Sequence, residues 1–116
     1  AMLDANPDLA VQGYNAFGKI FFWNQASVAL YGYSEAAAIN ADIFEILLPP
    51  EMRTLAREFV RAAPTTGKLP EPSSCDLLHR SGEYVTVMSG HLMFKWDNAS
   101  VPEFYCIDVA IDSQLI

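Results

Sequence analysis

The stretch NQASVALYGYS, Asn24 to Ser34, decides the fold of this chain more than any other. Asn24 is a preferred helix N-cap, because its side-chain oxygen can accept a hydrogen bond from the first backbone N–H groups of a helix. Gly32 predicts the end of that helix, since glycine adopts the left-handed backbone of a C-terminal cap without strain. Ser34 can then cap a second helix. The stretch therefore predicts two short consecutive helices.

The residues before this stretch predict a β-hairpin. Two apolar runs, Leu9 to Tyr14 and Lys19 to Trp23, flank a turn at Asn15 to Gly18. Asparagine and glycine supply the backbone geometry that a tight turn requires. The second run has apolar side chains on both faces of the strand, so other parts of the molecule or a partner must pack against each face.

The residues after it predict a buried segment, a longer helix and three strands. Ile43 to Leu48 is short and apolar, and Pro50 suits the first turn of a helix continuing from Glu51 to Ala63. The predicted strands are Ser73 to Arg80, Glu83 to Phe94 and Val101 to Ile111. This order predicts an α+β fold: a five-stranded antiparallel sheet with helices inserted between strands 2 and 3.

The composition and charge of the chain argue against several classes of function. The chain has 116 residues, which is one domain, and a net charge of −7 from 14 acidic and 7 basic residues. Such a charge disfavours binding to nucleic acid or to anionic membranes. No apolar run approaches the ~20 residues of a membrane span. The two cysteines and two histidines show no metal-binding spacing, so we expect no metal site. Two unpaired cysteines are typical of a reducing compartment, so we expect a cytoplasmic domain.

Three motifs together resemble the PAS family of sensory domains. They are NQASVALYGYS, the segment IFEILLPPE at Ile43 to Glu51, and the segment HRSGE at His79 to Glu83. The resemblance implies that the sheet wraps around the helices and that the space between them is a sensory pocket. It also implies a lead-in at 1–8, a sensory domain at 9–112, and at 113–116 the start of a linker to an output domain. The usual output domains are histidine kinases and cyclic-dinucleotide enzymes, and Asp108 aligns best with the family's signal exit.

The resemblance also limits the cofactors. Flavin-photosensing members carry a reactive cysteine in the region that corresponds to Ala37 to Leu48, and this segment contains no cysteine. Haem-binding members usually take their proximal histidine from the long helix, and residues 51–63 contain no histidine. Haem and covalent flavin photochemistry are therefore not expected. The identity of any other ligand stays open.

Polar residues on the fourth strand predict the pocket. With a period of two, Val87, Ser89 and His91 share one face, which by resemblance faces the helices. An apolar cavity with a few convergent polar groups is typical of small-molecule sites. The alternative is that a backbone carbonyl satisfies His91, or that a bulge turns it outward. The predicted ligand-contacting residues are His91, Ser89, Val87, Phe22, Phe44 and Phe59.

Two aromatic residues of the second strand predict an interface. If Ile20 and Phe22 face the core, Phe21 and Trp23 lie on the outer face of the sheet. Adjacent exposed aromatic residues mark interaction surfaces, so we expect a homodimer through this face. The alternative is that residues 1–8 cover these two aromatic side chains.

Two functions remain open. The first is a sensor that binds a small ligand and controls a covalently linked output domain. The second is a ligand-free dimerisation scaffold whose aromatic residues fill the interior: Phe17, Phe22, Phe44, Phe59, Tyr84 and Phe94. Catalysis by the domain itself is not expected, because Ser89 and His91 lack the third group that would complete a nucleophilic site.

Overall fold

The computed structural model describes residues 8–97 and 101–111. Apart from Asp8, the flanking segments predicted at 1–8 and 113–116 lie outside the described residues. The strands are β1 (Ala10–Tyr14), β2 (Ile20–Trp23), β3 (Ser73–Leu78), β4 (Tyr84–Phe94) and β5 (Glu103–Ala110). The helices are α1 (Gln25–Tyr31), α2 (Glu35–Ala38), α3 (Ile43–Leu47) and α4 (Pro50–Thr66).

The sheet has the strand order β2-β1-β5-β4-β3, and each neighbouring pair is antiparallel. The described helices all lie between β2 and β3 in the chain, which confirms the predicted α+β architecture. The short apolar segment predicted at Ile43 to Leu48 forms helix α3. The buried core lies between the helices and the inner face of the sheet. None of the described helices has the length and apolar character needed to cross a membrane.

The stretch that decides the fold forms the predicted caps. The Asn24 side chain accepts a hydrogen bond from the Ser27 backbone N–H at 3.0 Å. Gly32 ends α1 with φ 81°, and the Ser34 side chain caps α2. Asn24 also accepts a hydrogen bond from the Val11 backbone N–H at 3.0 Å, so the same side chain ties α1 to strand β1. These caps confirm the sequence prediction.

A β-bulge interrupts the pairing of β1 with β2. Gly13 pairs with Phe22 and Tyr14 pairs with Ile20, so Phe21 is an extra residue on β2. The Phe21 ring folds back over the first strand, where an added Cβ on Gly13 would lie 2.9 Å from it. A glycine is therefore required at this position for the aromatic ring to approach the backbone.

The bulge moves Trp23 to the inside of the molecule. Because one residue is inserted, Ile20 and Trp23 both face the core, and they are 0% and 1% exposed. The Trp23 indole Nε1 donates a hydrogen bond to the Tyr33 carbonyl at 3.0 Å. The prediction that Trp23 lies on the outer face is wrong, since strict two-residue alternation does not hold across a bulge.

Candidate ligand cavity

A cavity of about 320 Å³ lies between helix α4 and the inner face of the sheet. This volume is at the small end of the range, ~300–1,000 Å³, that is typical of ligand pockets. Its wall is mainly apolar, with residues from α3, α4 and the sheet. Among them are Phe44, Leu47, Met52, Phe59 and Leu77.

Helix α4 presents its apolar stripe to this cavity. Met52, Leu55 and Phe59 line it, and they remain 39%, 67% and 39% exposed. An apolar helix face normally packs against the core, but here it lies over space that no side chain fills. The helix therefore acts as one wall of a cavity.

Two arginines hold α4 in place on the side of α3. The Arg53 Nε donates hydrogen bonds to the carbonyls of Phe44 and Leu48 at 3.2 and 3.1 Å. Arg57 binds Asp42 at 2.9 Å, and its guanidinium lies 4.8 Å from the centre of the Phe44 ring. These contacts fix the first half of α4 and leave its second half attached mainly through apolar packing.

A row of inward-facing residues crosses three strands of the cavity wall. Cys106 of β5 pairs with Gln12 on β1 and with His91 on β4, so Gln12 and His91 flank it on either side. Gln12 is 0% exposed, and its Nε2 donates a hydrogen bond to the Ser27 hydroxyl at 3.0 Å. The Gln12 Oε1 and the His91 Nδ1 are both buried without a hydrogen-bond partner. We call these three residues the open row.

The state of His91 follows from its surroundings. Burial lowers the pKa of His91 from its ordinary value of 6.5, while the Asp108 carboxyl and a hydrogen bond with the Pro70 backbone act in the opposite direction. The Pro70 backbone can only accept a hydrogen bond, and Nδ1 has no partner, so this interaction favours the tautomer with the proton on Nε2.

A second row lies next to the open row and is fully paired. Asp108 of β5 pairs with Ser89 of β4 in the sheet register. The Asp108 carboxylate accepts hydrogen bonds from the Ser89 and Tyr31 hydroxyls, both at 2.6 Å. Burial raises the pKa of Asp108, while its hydrogen bonds with Ser89, Tyr31 and Gln12 and the charge of protonated His91 act in the opposite direction. We call Asp108, Ser89 and Tyr31 the paired cluster.

Comparisons with known structures agree with this architecture. A PAS domain from Colwellia psychrerythraea is 24% identical, with a TM-score of 0.77, and the match covers 94% of this chain and 90% of that one. The PAS domain of an HTR-like protein from Haloarcula marismortui is also 24% identical, with a TM-score of 0.68 over 96% and 87% of the two chains. The chain has the PAS fold.

A third comparison concerns a PAS domain with a bound molecule. The PAS domain of the Cronobacter turicensis RpfR quorum-sensing receptor, in complex with C12:0, is 16% identical to this chain. Its TM-score is 0.68, and the match covers 90% of this chain and 95% of that one. No family model matches the sequence, and no curated protein matches it.

The cavity of this PAS fold includes most of the residues predicted to contact a ligand. His91, Ser89, Phe44 and Phe59 line it. Val87 and Phe22 are not among the lining residues: Val87 is buried beside Cys75 of β3, and Phe22 follows the bulge. His91 lines the cavity with its Nδ1 unpaired, and the Pro70 backbone also acts on its ring.

Sequence analysis missed Gln12 and did not predict that Asp108 lines the cavity. Asp108 was predicted as the signal exit, and it lies in the wall of the cavity, 0% exposed. Gln12 lies in the mainly apolar strand AVQGY, and Asp108 lies in the mainly apolar run YCIDVA of β5. A polar residue in a buried strand must find a partner or face a cavity, and this signal was available in the sequence.

The aromatic residues do not fill the interior as the scaffold alternative supposed. Phe17, Tyr84 and Phe94 are 85%, 55% and 50% exposed. Phe44 is buried, and Phe59 is half-exposed at the cavity. The space between the sheet and the helices is therefore not closed by the aromatic residues that were expected to close it.

The outer face of the sheet carries a chain of aromatic rings. Phe21 packs edge-on against Tyr105, with ring centres 5.7 Å apart, and Phe94 does the same at 5.9 Å. Phe94 also stacks on Trp96 at 6.5 Å. Phe21 therefore lies on the predicted face. The residues that accompany it there are Tyr105, Phe94 and Trp96, in place of Trp23.

The polar groups of the cavity form no nucleophile and base pair. The Ser89 hydroxyl donates its hydrogen bond to Asp108, and the His91 Nδ1 accepts none. Burial raises the pKa of the Cys106 thiol, which keeps it protonated and weakly nucleophilic. Among residues 8–97 and 101–111, no group of His, Cys, Asp and Glu side chains is placed to hold a metal ion.

Proposed function

We propose that this domain is a sensor that binds a small, mainly apolar ligand in the cavity between α4 and the sheet. In this proposal the domain has no catalytic activity of its own. Occupancy of the cavity controls a covalently linked output domain, such as a histidine kinase or a cyclic-dinucleotide enzyme.

One observation carries the proposal: the cavity wall holds two buried polar atoms, the Gln12 Oε1 and the His91 Nδ1, that have no partner. A buried polar group without a partner costs about 1–3 kcal/mol, and buried groups are nearly always paired. A bound molecule that reaches both atoms would remove this cost. In a ligand-free scaffold, only water could satisfy them.

The paired cluster suggests a route from the cavity to the output domain. Asp108 lines the cavity, and it belongs to β5, the last strand of the described residues. Tyr31 connects the same carboxylate to the end of α1. A ligand that shifts Asp108 would therefore act on β5 and on α1 together. We propose Asp108 as the signal exit on this basis.

Native mass spectrometry of freshly purified protein tests the proposal. We expect a retained small molecule in the wild type, and its loss in the variant Ala56→Phe, which places a ring in the cavity wall. His91→Leu should change the retained species. Leu92→Ala, on the outer face and 44% exposed, is the matched control and should retain the same molecule. A wild type that never carries a ligand, or identical profiles for all variants, would contradict the proposal.

A second function is favoured by the outer aromatic chain: we propose homodimerisation through this face. Phe21, Phe94 and Trp96 are 42%, 50% and 76% exposed. Two copies with a net charge of −7 repel each other. The two copies can therefore associate through this apolar aromatic face. Each copy would contribute the same surface.

Sedimentation velocity over a range of protein concentrations tests the dimer. We expect a concentration-dependent dimer in the wild type and a monomer in the double variant Phe94→Ser, Trp96→Ser. The control is Phe17→Ser, because Phe17 is 85% exposed and belongs to the hairpin turn between β1 and β2. A wild type that stays monomeric, or a double variant that still dimerises, would contradict this function.

A further inference from the structure

We infer that the cavity selects an uncharged ligand with an apolar body and a hydrogen-bond donor at one end, such as an alcohol rather than a carboxylate. The inference rests on the proposed function, because it concerns the ligand of the same cavity. It follows from the chemistry of the open row and from the charges that line the cavity.

The two unpaired atoms of the open row are both acceptors. The Gln12 Oε1 is an amide oxygen, which can only accept hydrogen bonds. The Pro70 backbone favours a proton on the His91 Nε2, and in that neutral tautomer Nδ1 is an acceptor. Gln12 and His91 lie on either side of Cys106. A ligand group above Cys106 must therefore donate if it is to satisfy either atom.

The neutral form of His91 is the form present near pH 7. Burial lowers its pKa below 6.5, and the carboxyl of Asp108 in the neighbouring row acts in the opposite direction. The neighbouring Cys106 thiol stays protonated, because burial raises its pKa. His91 could attract an anionic ligand only after taking up a proton, and burial disfavours the protonated ring.

The lining residues disfavour a charged ligand of either sign. Among the described residues that line the cavity none is Lys or Arg, whereas Asp108 and Glu51 are acidic. A carboxylate head would therefore be buried without a counter-charge. An ammonium head would have to share Asp108, whose carboxylate already accepts hydrogen bonds from Tyr31 and Ser89, or reach Glu51, which is exposed to water. Burying a charge without a partner is far more costly than burying a hydroxyl.

Four probes with the same eight-carbon chain test the inference: octan-1-ol, 1-methoxyoctane, octanoate and octylammonium. Binding is measured by titration followed by amide NMR shifts of the cavity strands at neutral pH. We expect octan-1-ol to bind most tightly. The ether accepts but cannot donate, so it should bind about tenfold more weakly, the effect of one lost hydrogen bond. The two ions should bind at least roughly a hundredfold more weakly.

Variants of the open row connect this preference to its residues. In Gln12→Leu and in His91→Leu, the ratio of alcohol to ether affinity should fall towards one, while the ether itself still binds. The control Leu92→Ala should keep the wild-type ratio. If Gln12→Leu fails to fold, His91→Leu alone must lower the ratio by at least about threefold, since it removes one of two acceptors.

The outcomes separate the inference from the proposed function. Tightest binding by octanoate or octylammonium, or equal binding of alcohol and ether, overturns the inference and leaves the sensor proposal standing. An unchanged ratio in His91→Leu also overturns it. If none of the four probes shifts the resonances of cavity residues, the cavity does not accept such ligands and both proposals fail.

Discussion

Two neighbouring rows on the inner face of one sheet treat their polar groups in opposite ways. In the paired cluster, Asp108 accepts hydrogen bonds from Ser89 and Tyr31, both at 2.6 Å. In the open row, Gln12 and His91 each keep one buried atom without a partner. The contrast shows that polarity alone does not identify a binding site. A binding site is identified by the buried polar atoms whose hydrogen bonds remain unmade.

The helices explain why the two rows differ. Tyr31, the last residue of α1, reaches over the sheet and places its hydroxyl on Asp108. Both rows line the cavity, but the Gln12 Oε1 and the His91 Nδ1 receive no such donor. Most α4 residues that line the cavity are apolar, among them Met52, Leu55 and Phe59. The paired cluster therefore serves the stability of the fold, and the open row is free to serve a ligand.

The largest effect expected from this comparison is the loss of Asp108. Asp108→Ala removes the common acceptor and leaves the hydroxyls of Ser89 and Tyr31 buried without a partner. Each such group costs about 1–3 kcal/mol, so we expect the free energy of unfolding to fall by roughly 3 kcal/mol or more. Denaturant unfolding followed by circular dichroism measures this change.

The matched variant is His91→Leu in the open row. It removes an atom that has no partner and gives up one hydrogen bond to a backbone carbonyl. These effects oppose each other, so its free energy of unfolding should stay within about 1 kcal/mol of wild type. Equal destabilisation by Asp108→Ala and His91→Leu would break the distinction between the two rows.

A smaller effect is expected from Tyr31→Phe, which removes one donor to Asp108 and keeps the ring. Hydrogen bonds to charged groups contribute about 1.5–3 kcal/mol, and the ring continues to pack against Trp23, 6.0 Å away between centres. We expect a loss in that range. Tyr84→Phe is the control, because Tyr84 is 55% exposed, and it should leave the unfolding midpoint unchanged. Similar losses for both variants would show that the hydroxyl of Tyr31 has no special role.

The parts of the fold that could be predicted depend on local contacts. Asn24, Gly32 and Ser34 cap helices through hydrogen bonds to residues only three or four positions away. The alternation along β4 was also predictable: Ser89 is buried, and Met88 is 44% exposed. Such features follow from the geometry of a single element.

The parts that could not be predicted depend on pairing between strands. Trp23 turns inward because Phe21 is an inserted residue in the pairing of β2 with β1, and no local pattern reveals such an insertion. The polar groups of the cavity also depend on pairing between strands. The sequence placed His91 and Ser89 on one face, but their different roles arise from Gln12, Cys106 and Asp108 on two other strands.

The smallest effect in this comparison is the pH dependence that His91 adds. Burial lowers its pKa in the folded state below 6.5, so the folded protein favours the neutral ring. The stabilising contribution is therefore complete above pH 6.5 and is lost as the pH falls through the lower pKa of the folded state. The free energy of unfolding, measured across this range for wild type and His91→Leu, should show a difference that falls on acidification.

The comparison with Asp108→Asn distinguishes this effect from the paired cluster. Burial raises the pKa of Asp108, so its pH-dependent contribution has the opposite sign: it is complete at low pH and is lost as the pH rises through the raised pKa. Relative to Asp108→Asn, the wild type should therefore lose stability as the pH rises. If both differences change in the same direction, the opposite signs assigned to these two contributions are wrong.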